Sequence, residues 1–225
     1  MLVTSENWKN TYPGAAVGIL AMREVTNPIH HPELNQRKTE LENQLRTRFA
    51  DQDRATLKTL PVLQAYEAYY KRFRKSYHVQ LQLESLVFKD KPIPSVAALV
   101  EAMFMAELKN LLLTAGHDLE AVEPPVRVDV AQGDESYTQL NGLQQSLKAG
   151  DMYIADGKGI ISSIIYGPDR RTQITAETHG VLFTVYAPPG IEAQTVQKHL
   201  EDIQANVWLI APQAKTELLR VYGAG

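Results

Sequence analysis

The chain has 225 residues, of which 44% are hydrophobic and 22% are charged, and it has no cysteine. This length can bury a sizeable core as one large domain or two small ones, and the composition is that of a folded protein. Without cysteine, disulfides, thiol nucleophiles and thiolate metal sites are excluded. The net charge of −3 excludes an overall basic field, so nucleic acid can only be bound by a local basic patch, and DNA binding is not expected.

The sequence contains no stretch near the roughly 18 consecutive apolar residues of a membrane helix. The first ten residues, MLVTSENWKN, are polar and include an acidic side chain. A secretory signal would instead begin with basic residues and continue with an apolar run. We therefore expect a cytoplasmic protein without membrane contact.

The first third of the chain is predicted to be mainly helical. Residues 13–22 (PGAAVGILAM) are typical of a buried strand, and an apolar stripe predicts a helix over 33–50. Asp51 or Asp53 can cap a short helix. Pro61 can begin another helix, which ends at the basic run KRFRK.

A long helix is predicted before the middle of the chain. Alternating apolar residues at 79, 81 and 83 first indicate an extended segment. Ser95 is then placed to cap a helix from Val96 to about Ala115, and Gly116 would end it.

The second half is predicted to be rich in strands. Alternating valines indicate a strand over 126–130, and β-rich runs bounded by glycine, proline and aspartate indicate strands at 152–155, 159–166 and 180–187. An amphipathic helix is expected over about 193–206, and 208–222 would close the domain. The sequence shows no internal repeat and no long linker, so we expect a single domain.

His117 and Asp118 follow the predicted stop of the long helix. Both side chains could point into a cleft there, where a histidine can orient a water molecule or a ribose hydroxyl. The alternative is a capping pair on a loop.

A second polar cluster is TQITAETHG (172–180), which precedes the apolar run VLFTVY. Strand alternation would place Glu177 and His179 on one face and Thr178 on the other. Together with Thr175, these groups could hold a polar ligand by hydrogen bonds. A polar start to a strand explains them equally well.

Two basic groups are candidates for RNA contact. The run YYKRFRKSYH interleaves aromatic residues with Lys71, Arg72, Arg74 and Lys75, a composition suited to phosphates and stacked bases. A basic helix end with inward tyrosines is the alternative. Arg170 and Arg171 form a compact pair after Gly-Pro-Asp, and guanidinium groups match phosphate geometry, although a simple turn is favoured there.

Other signals are weak. The segment DGKG (156–159) is typical of a hairpin turn because it lacks the longer glycine-rich frame of a phosphate loop. The adjacent His30 and His31 would point apart on an extended chain, so no metal site is expected. The sequence has no GxSxG, HExxH or Walker motif, and no cofactor is expected.

The stretch AELKNLLLTAGHD (106–118), followed by PVRVDVA, LKAGDMYIADGKG and RRTQITAETHGVLFTVYAP, resembles the B3/B4 module, the tRNA-editing domain of the bacterial phenylalanyl-tRNA synthetase β subunit. The similarity spans about 66–188. It leaves 1–60 as an N-terminal strand and helical extension, and 190–225 as a C-terminal helix and tail. The resemblance implies an α+β fold, a three-layer unit with a β-sandwich core flanked by helices.

The resemblance also implies a pocket that, in the synthetase, accepts the 3′ end of tRNA carrying wrongly attached tyrosine. Carried over by position, the pocket residues are Asn110, His117, Gly157, Glu177 and Thr178. His117 and Glu177 would position the ester and water, and the substrate's own ribose hydroxyl would assist. Asn110 and Thr178 would bind the amino group or carbonyl, and no metal is implied.

Two departures limit what the resemblance implies. The glycine-rich segment of the synthetase pocket has no clean counterpart, and the synthetase core and tRNA-anchoring domains are missing, so no amino acid specificity follows. A free-standing editor would capture tRNA through the basic residues named above. The alternatives are a non-catalytic module that binds RNA or a small ligand, and a structural protein with a decayed pocket.

Overall fold

A computed structural model describes residues 2–224 of the chain. The helices of this part are α1 (Glu6–Thr11), α2 (Pro32–Arg48), α3 (Arg54–Leu57), α4 (Pro61–Arg72), α5 (His78–Lys89), α6 (Ala98–Asn110) and α7 (Ala193–Ile210). The strands are β1 (Leu2–Thr4), β2 (Ala16–Arg23), β3 (Leu113–Asp118), β4 (Val126–Val130), β5 (Ser136–Thr138), β6 (Gln144–Ser146), β7 (Met152–Asp156), β8 (Gly159–Ser163), β9 (Gly167–Pro168), β10 (Gly180–Ala187) and β11 (Lys215–Gly223). Because helices and strands fall largely in separate runs, the fold is α+β, as predicted.

Two sheets pack face to face. A five-stranded sheet has the order β1-β4-β7-β8-β9, a four-stranded sheet has the order β11-β2-β10-β3, and β5 and β6 form a separate hairpin. Apolar side chains of both sheets belong to one buried core, and the hydroxyl groups of Tyr186 on β10 and Ser162 on β8 are hydrogen-bonded across it. Helix α7 lies against the other face of the four-stranded sheet, beside α6. The three layers predicted from the resemblance are therefore present.

The strand and helices predicted between residues 13 and 75 are present, whereas β1 and α1 were not predicted. Strand β2 is buried along its length except at Arg23. The side chain of Asp53 accepts a hydrogen bond from the Thr56 N–H and caps α3, and Pro61 is the first residue of α4. Local signals sufficed here because caps and apolar stripes involve neighbouring residues only.

The alternation at residues 79, 81 and 83 was wrongly interpreted as an extended segment. These residues lie in α5, which buries Val79, Leu83 and Leu86 and leaves Leu81 49% exposed. The spacing of four and three residues between the buried positions is that of one helix face. Three alternating residues are too few to separate the two periods.

The long helix is shorter than predicted at both ends. It begins at Ala98, and its N-cap residue is Ala97, which has no side-chain acceptor. Ser95 lies two residues earlier, and its hydroxyl accepts a hydrogen bond from the Lys38 ammonium. It ends at Asn110, where Leu111 takes a left-handed conformation with φ of 60°. Gly116 therefore does not end a helix but lies inside β3.

The second half contains the predicted strands with changed ends. Residues 156–159 form the predicted turn between β7 and β8. Strand β8 ends at residue 163, not 166, and α7 runs on to residue 210. Residues 177–179 lie in a turn before β10, so the alternation predicted for Glu177, Thr178 and His179 does not apply.

Candidate functional site

An apolar cavity of about 260 Å³ lies between α6, β3 and the segment from β8 to residue 174. Its apolar walls include Val100, Met103, Phe104, Leu113, Ile164 and Ile174, and its polar groups include His78, Glu107, Ser163 and Gln173. Leu140, at the tip of the β5–β6 hairpin, lines it and is 45% exposed. Pockets for drug-sized ligands hold about 300–1,000 Å³. This cavity therefore suits a group the size of one amino acid side chain.

The backbone of β3 forms one wall of the cavity because β3 is an edge strand. The Thr114 N–H donates to Glu107 Oε1 (2.7 Å), and the Asp118 N–H donates to the Thr172 carbonyl (2.8 Å). Both groups point away from β10. Since this direction repeats at every second residue, the N–H and C=O of Gly116 point the same way, towards the cavity.

The absence of a side chain at Gly116 shapes this wall. A Cβ atom there would lie 2.8 Å from Ile174 Cδ1. The Ile174 side chain therefore packs directly over the glycine and closes the cavity on this side.

Glu107 is the cavity's buried carboxyl group. It is 2% exposed, and burial raises its pKa to about 8, against a smaller opposing effect of the hydrogen bond from Thr114. Its Oε2 atom makes no hydrogen bond with residues 2–224. At neutral pH the group is a carboxylic acid that can donate one hydrogen bond to a ligand.

His117 is fully buried on β3, so the prediction that it follows a helix stop and points into an open cleft is wrong. Its Nδ1 atom is 2.8 Å from Thr172 Oγ1, and its Nε2 atom has no partner in the described part of the chain. Burial lowers the pKa of the imidazole to about 3, so the ring is neutral at physiological pH.

Several predicted polar residues come together, but they bond to one another. The Thr178 hydroxyl donates to Asp118 Oδ2 and accepts from the Thr175 N–H. With the His117–Thr172 contact, these bonds fasten the segment 172–178 to β3. None of these side chains lines the cavity; they hold its wall in place.

The other predicted pocket residues lie apart from this cluster. Glu177 is exposed on the turn before β10. Asn110, at the end of α6, donates to Asp202 Oδ2 (2.9 Å) on α7 and also contacts His199. Gly157 is exposed in the β7–β8 turn, against the carbonyl groups of residues 123 and 124. The structure does not bring these three residues to the cavity.

A basic groove of about 710 Å³ runs between α3, α4 and α5. Its cations are Arg54, Lys58, Lys71, Arg74 and Lys75, and its acidic residues are Glu67 and Glu84. The groove approaches the apolar cavity. Tyr77 lines the groove and the next residue, His78, lines the cavity; the Lys75 ammonium lies 5.8 Å from the ring centroid of Tyr166, beside the cavity residue Gly167.

The remaining predicted RNA-binding arginines differ in their surroundings. Arg72 stacks over the Tyr12 ring at 5.1 Å and does not line the groove. Arg171 is held by Asp156 Oδ1 (2.8 Å) and the Ala121 carbonyl. Arg170 is exposed, and its guanidinium lies against Gly142, at the tip of the hairpin that carries Leu140. Arg170 therefore contacts the hairpin tip two residues from the cavity residue Leu140.

Sequence reasoning missed the cavity's own polar groups. Glu107 stands in an apolar helix, where a lone acid is typical of an exposed position, and Ser163 was placed within a longer strand. Within residues 2–224, no three His, Asp or Glu side chains are grouped so that they could hold a metal ion. No helix in this range has the length and apolar character needed to cross a membrane.

Comparison with known proteins identifies a protein family and a group of similar solved structures. The family model described as B3/4 domain matches residues 64–205. Among solved structures, an N-terminal fragment of the phenylalanyl-tRNA synthetase β subunit from Pyrococcus horikoshii is similar, with a TM-score of 0.49 and 12% identity. The match covers 96% of this chain and 50% of the fragment, so the chain spans half the fragment's length. No curated protein matches.

Proposed function

The chain belongs to the B3/4 domain family, and from this premise we propose that it binds the aminoacylated 3′ end of tRNA and hydrolyses the ester of a wrongly attached amino acid. The observation that carries the proposal is the apolar cavity beside the basic groove. The 3′ end of an aminoacyl-tRNA has two matching parts: a row of phosphates, which fits the basic groove, and a single amino acid side chain, which fits the cavity.

In this proposal, the side chain of the attached amino acid occupies the cavity. Glu107 then lies near the α-ammonium group or the ester carbonyl of that amino acid. An α-ammonium group close to Glu107 would favour the ionised carboxyl and lower its pKa. The neutral acid would instead donate to the ester carbonyl. In either case the buried carboxyl gains the hydrogen bond that its Oε2 atom lacks.

The phosphates would lie along the basic groove, with Lys71, Arg74 and Lys75 as direct contacts. Lysine and arginine bind phosphates without regard to base sequence. Arg170 would contact the RNA beside the cavity mouth. Arg171 and Arg72 already contact protein groups. They would therefore stabilise the neighbouring segments and would not bind RNA directly.

The ester would lie at the end of the cavity walled by Gly116 and Ile174. His117 follows Gly116 in the chain, and Glu177 follows Ile174 by three residues. We assign to His117 the role of holding this wall through Thr172. Glu177 is exposed on the turn before β10 and does not line the cavity, so we assign it no role at the ester. Hydrolysis would depend on a positioned water and not on a protein nucleophile.

The test is a deacylation assay with a panel of correctly charged and mischarged tRNAs. The proposal expects the full chain to release amino acid from at least one mischarged tRNA. Glu107→Gln would lower kcat/KM, because an amide cannot carry the negative charge that pairs with an ammonium group, and Lys75→Ala would raise KM. Intact esters across the panel at high protein concentration would contradict hydrolysis.

The burial of His117 favours a second function, binding without chemistry. A neutral imidazole with no exposed surface cannot exchange protons with a ligand in the cavity. This function expects saturable binding of aminoacyl-tRNA, measured by filter retention, with no release of amino acid. If neither binding nor release were found, both functions would be wrong.

A further inference from the structure

A second cleft, of about 250 Å³, lies on the opposite side of α6 from the apolar cavity. We call it the α2 cleft, because α2 forms one wall and α6 and α7 form the others. Helix α6 turns Met103, Phe104 and Glu107 towards the cavity and Met105 and Lys109 towards the cleft. All of α2 precedes the B3/4 match, which begins at residue 64, so the cleft is built partly by the chain's own N-terminal extension.

The cleft has an apolar floor and a charged rim. Leu41, Met105 and Ala106 are buried at the floor. The rim has charges of both signs, Arg37 and Lys109 against Glu40 and Asp202. Rim charges of equal number and opposite sign match a small molecule that itself carries one positive and one negative group.

Arg37 is the free cation of the rim. It is half-buried, and its guanidinium makes no ion pair or hydrogen bond with residues 2–224. A planar guanidinium binds a carboxylate through two parallel hydrogen bonds. Arg37, Leu41 and Gln44 recur at four and three residues along α2, so they share one face of that helix and all line the cleft.

Asp202 is the fixed anion of the rim. Its Oδ1 atom accepts from the Lys109 ammonium (2.7 Å) and its Oδ2 atom accepts from Asn110 Nδ2 (2.9 Å). Burial opposes its ionisation, but these hydrogen bonds outweigh burial and hold the pKa of the carboxyl below its usual value. Asn110 is itself held by the buried His199, whose Nε2 atom is 2.7 Å from Thr114 Oγ1.

We propose that the α2 cleft binds a free amino acid as a zwitterion. Its carboxylate pairs with Arg37, its ammonium group pairs with Glu40, and its side chain rests on the apolar floor. Asp202 and Lys109 already neutralise each other, so the rim offers one cation and one anion to a zwitterion that carries one charge of each sign. This site is separate from the cavity proposed for aminoacyl-tRNA.

The binding test is isothermal titration calorimetry of the full chain with each of the twenty free amino acids. At least one is expected to bind saturably. Its N-acetyl and amide derivatives, which each lack one charge, should bind about tenfold more weakly or worse. No saturable binding by any amino acid at concentrations up to about 10 mM would overturn the proposal.

Variants separate this cleft from other surfaces. Arg37→Ala and Glu40→Gln each remove one rim charge that α2 supplies and are expected to weaken binding about tenfold. Arg48→Ala, an exposed control on the same helix, should leave binding unchanged. Binding that survives both cleft variants would overturn the proposal. Glu107→Gln should alter aminoacyl-tRNA binding but not this titration, so failure of one site is distinguishable from failure of the other.

Discussion

The hydrogen bonds around His117 determine which ring nitrogen carries the proton. The Thr172 hydroxyl donates to Asp169 Oδ1, which also accepts from the Thr172 N–H. The same hydroxyl oxygen is then the acceptor for His117, 2.8 Å away. The imidazole must therefore carry its proton on Nδ1, and the lone pair of Nε2 is left without a partner in the described chain.

This tautomer can be observed directly. Long-range proton–nitrogen correlation spectra are expected to show His117 as the Nδ1–H form across neutral pH, with the exposed His179 as an internal reference. Thr172→Val removes the acceptor and should convert His117 partly or fully to the Nε2–H form. An Nε2–H signal for His117 in the unaltered protein would contradict the donation from Nδ1 to Thr172.

Among the elements, the junction of α6 and β3 shows what local sequence can and cannot predict. The run LLLTAG fits both the apolar stripe of a helix and a buried strand. The choice depends on β10, which pairs with β3 from Leu113 to Asp118 and lies far later in the chain. Helix α2 and strand β2 are predicted correctly from their local apolar pattern alone, although β2 pairs with the distant strands β10 and β11.

The candidate site shows the same limit. Polar clusters at 117–118 and 172–178 were found because they stand out from apolar surroundings, and they do meet in space. Their hydrogen bonds satisfy one another, which is the usual state of buried polar groups. The cavity groups Glu107 and Ser163 were missed because only tertiary packing brings them together.

Strand β3 yields a prediction about the cavity wall. Gly116 does not have a positive φ, so Gly116→Ala introduces no backbone strain. The new methyl group would displace the Ile174 side chain, which lies 2.8 Å from its position. We expect aminoacyl-tRNA to bind about tenfold more weakly by filter retention, with an unfolding free energy changed by only about 1 kcal/mol. Unchanged binding would place the ligand outside this cavity.

The groove between α4 and α5 yields a prediction about salt. If Lys71 and Lys75 each contact a phosphate, replacing both by alanine should reduce the slope of log K against log salt concentration. The expected change is about 0.7 for each lost contact with single-stranded RNA. Lys89→Ala, an exposed control on α5, should leave the slope unchanged. An equal slope for the double variant would exclude the groove from RNA binding.

At the scale of the whole molecule, α6 is the shared wall of both proposed sites. The cavity and the α2 cleft lie on its two sides, and a hydrogen-bonded series from Asp202 through Asn110 and His199 to Thr114 joins them. Several ionisable groups of the described chain are buried, among them Glu107, His117, Asp151 and His199. That burial also determines how the folded state responds to pH.

Four buried groups have opposing effects on stability. Burial lowers the pKa of His117 and of His199 to about 3, from 6.5. Each histidine therefore contributes stability that is present above pH 6.5 and is lost as the pH falls towards 3. Burial raises the pKa of Glu107 to about 8, from 4.5, and that of Asp151 to about 7, from 3.8. Each acid contributes stability that is lost as the pH rises through this range.

Between pH 4.5 and 6.5 the two pairs oppose each other, because unfolding adds two protons to the histidines and removes two from the acids. Glu107→Gln and Asp151→Asn should abolish the release of protons by these two acids on unfolding and leave the uptake by the histidines. The double variant would then lose stability relative to the unaltered protein as the pH falls, by about 1.4 kcal/mol per pH unit for each substitution. Urea denaturation at several pH values in this range measures the difference. Glu33→Gln with Asp51→Asn, both exposed, is the control, and a difference independent of pH would show that these two acids are ionised in the folded state.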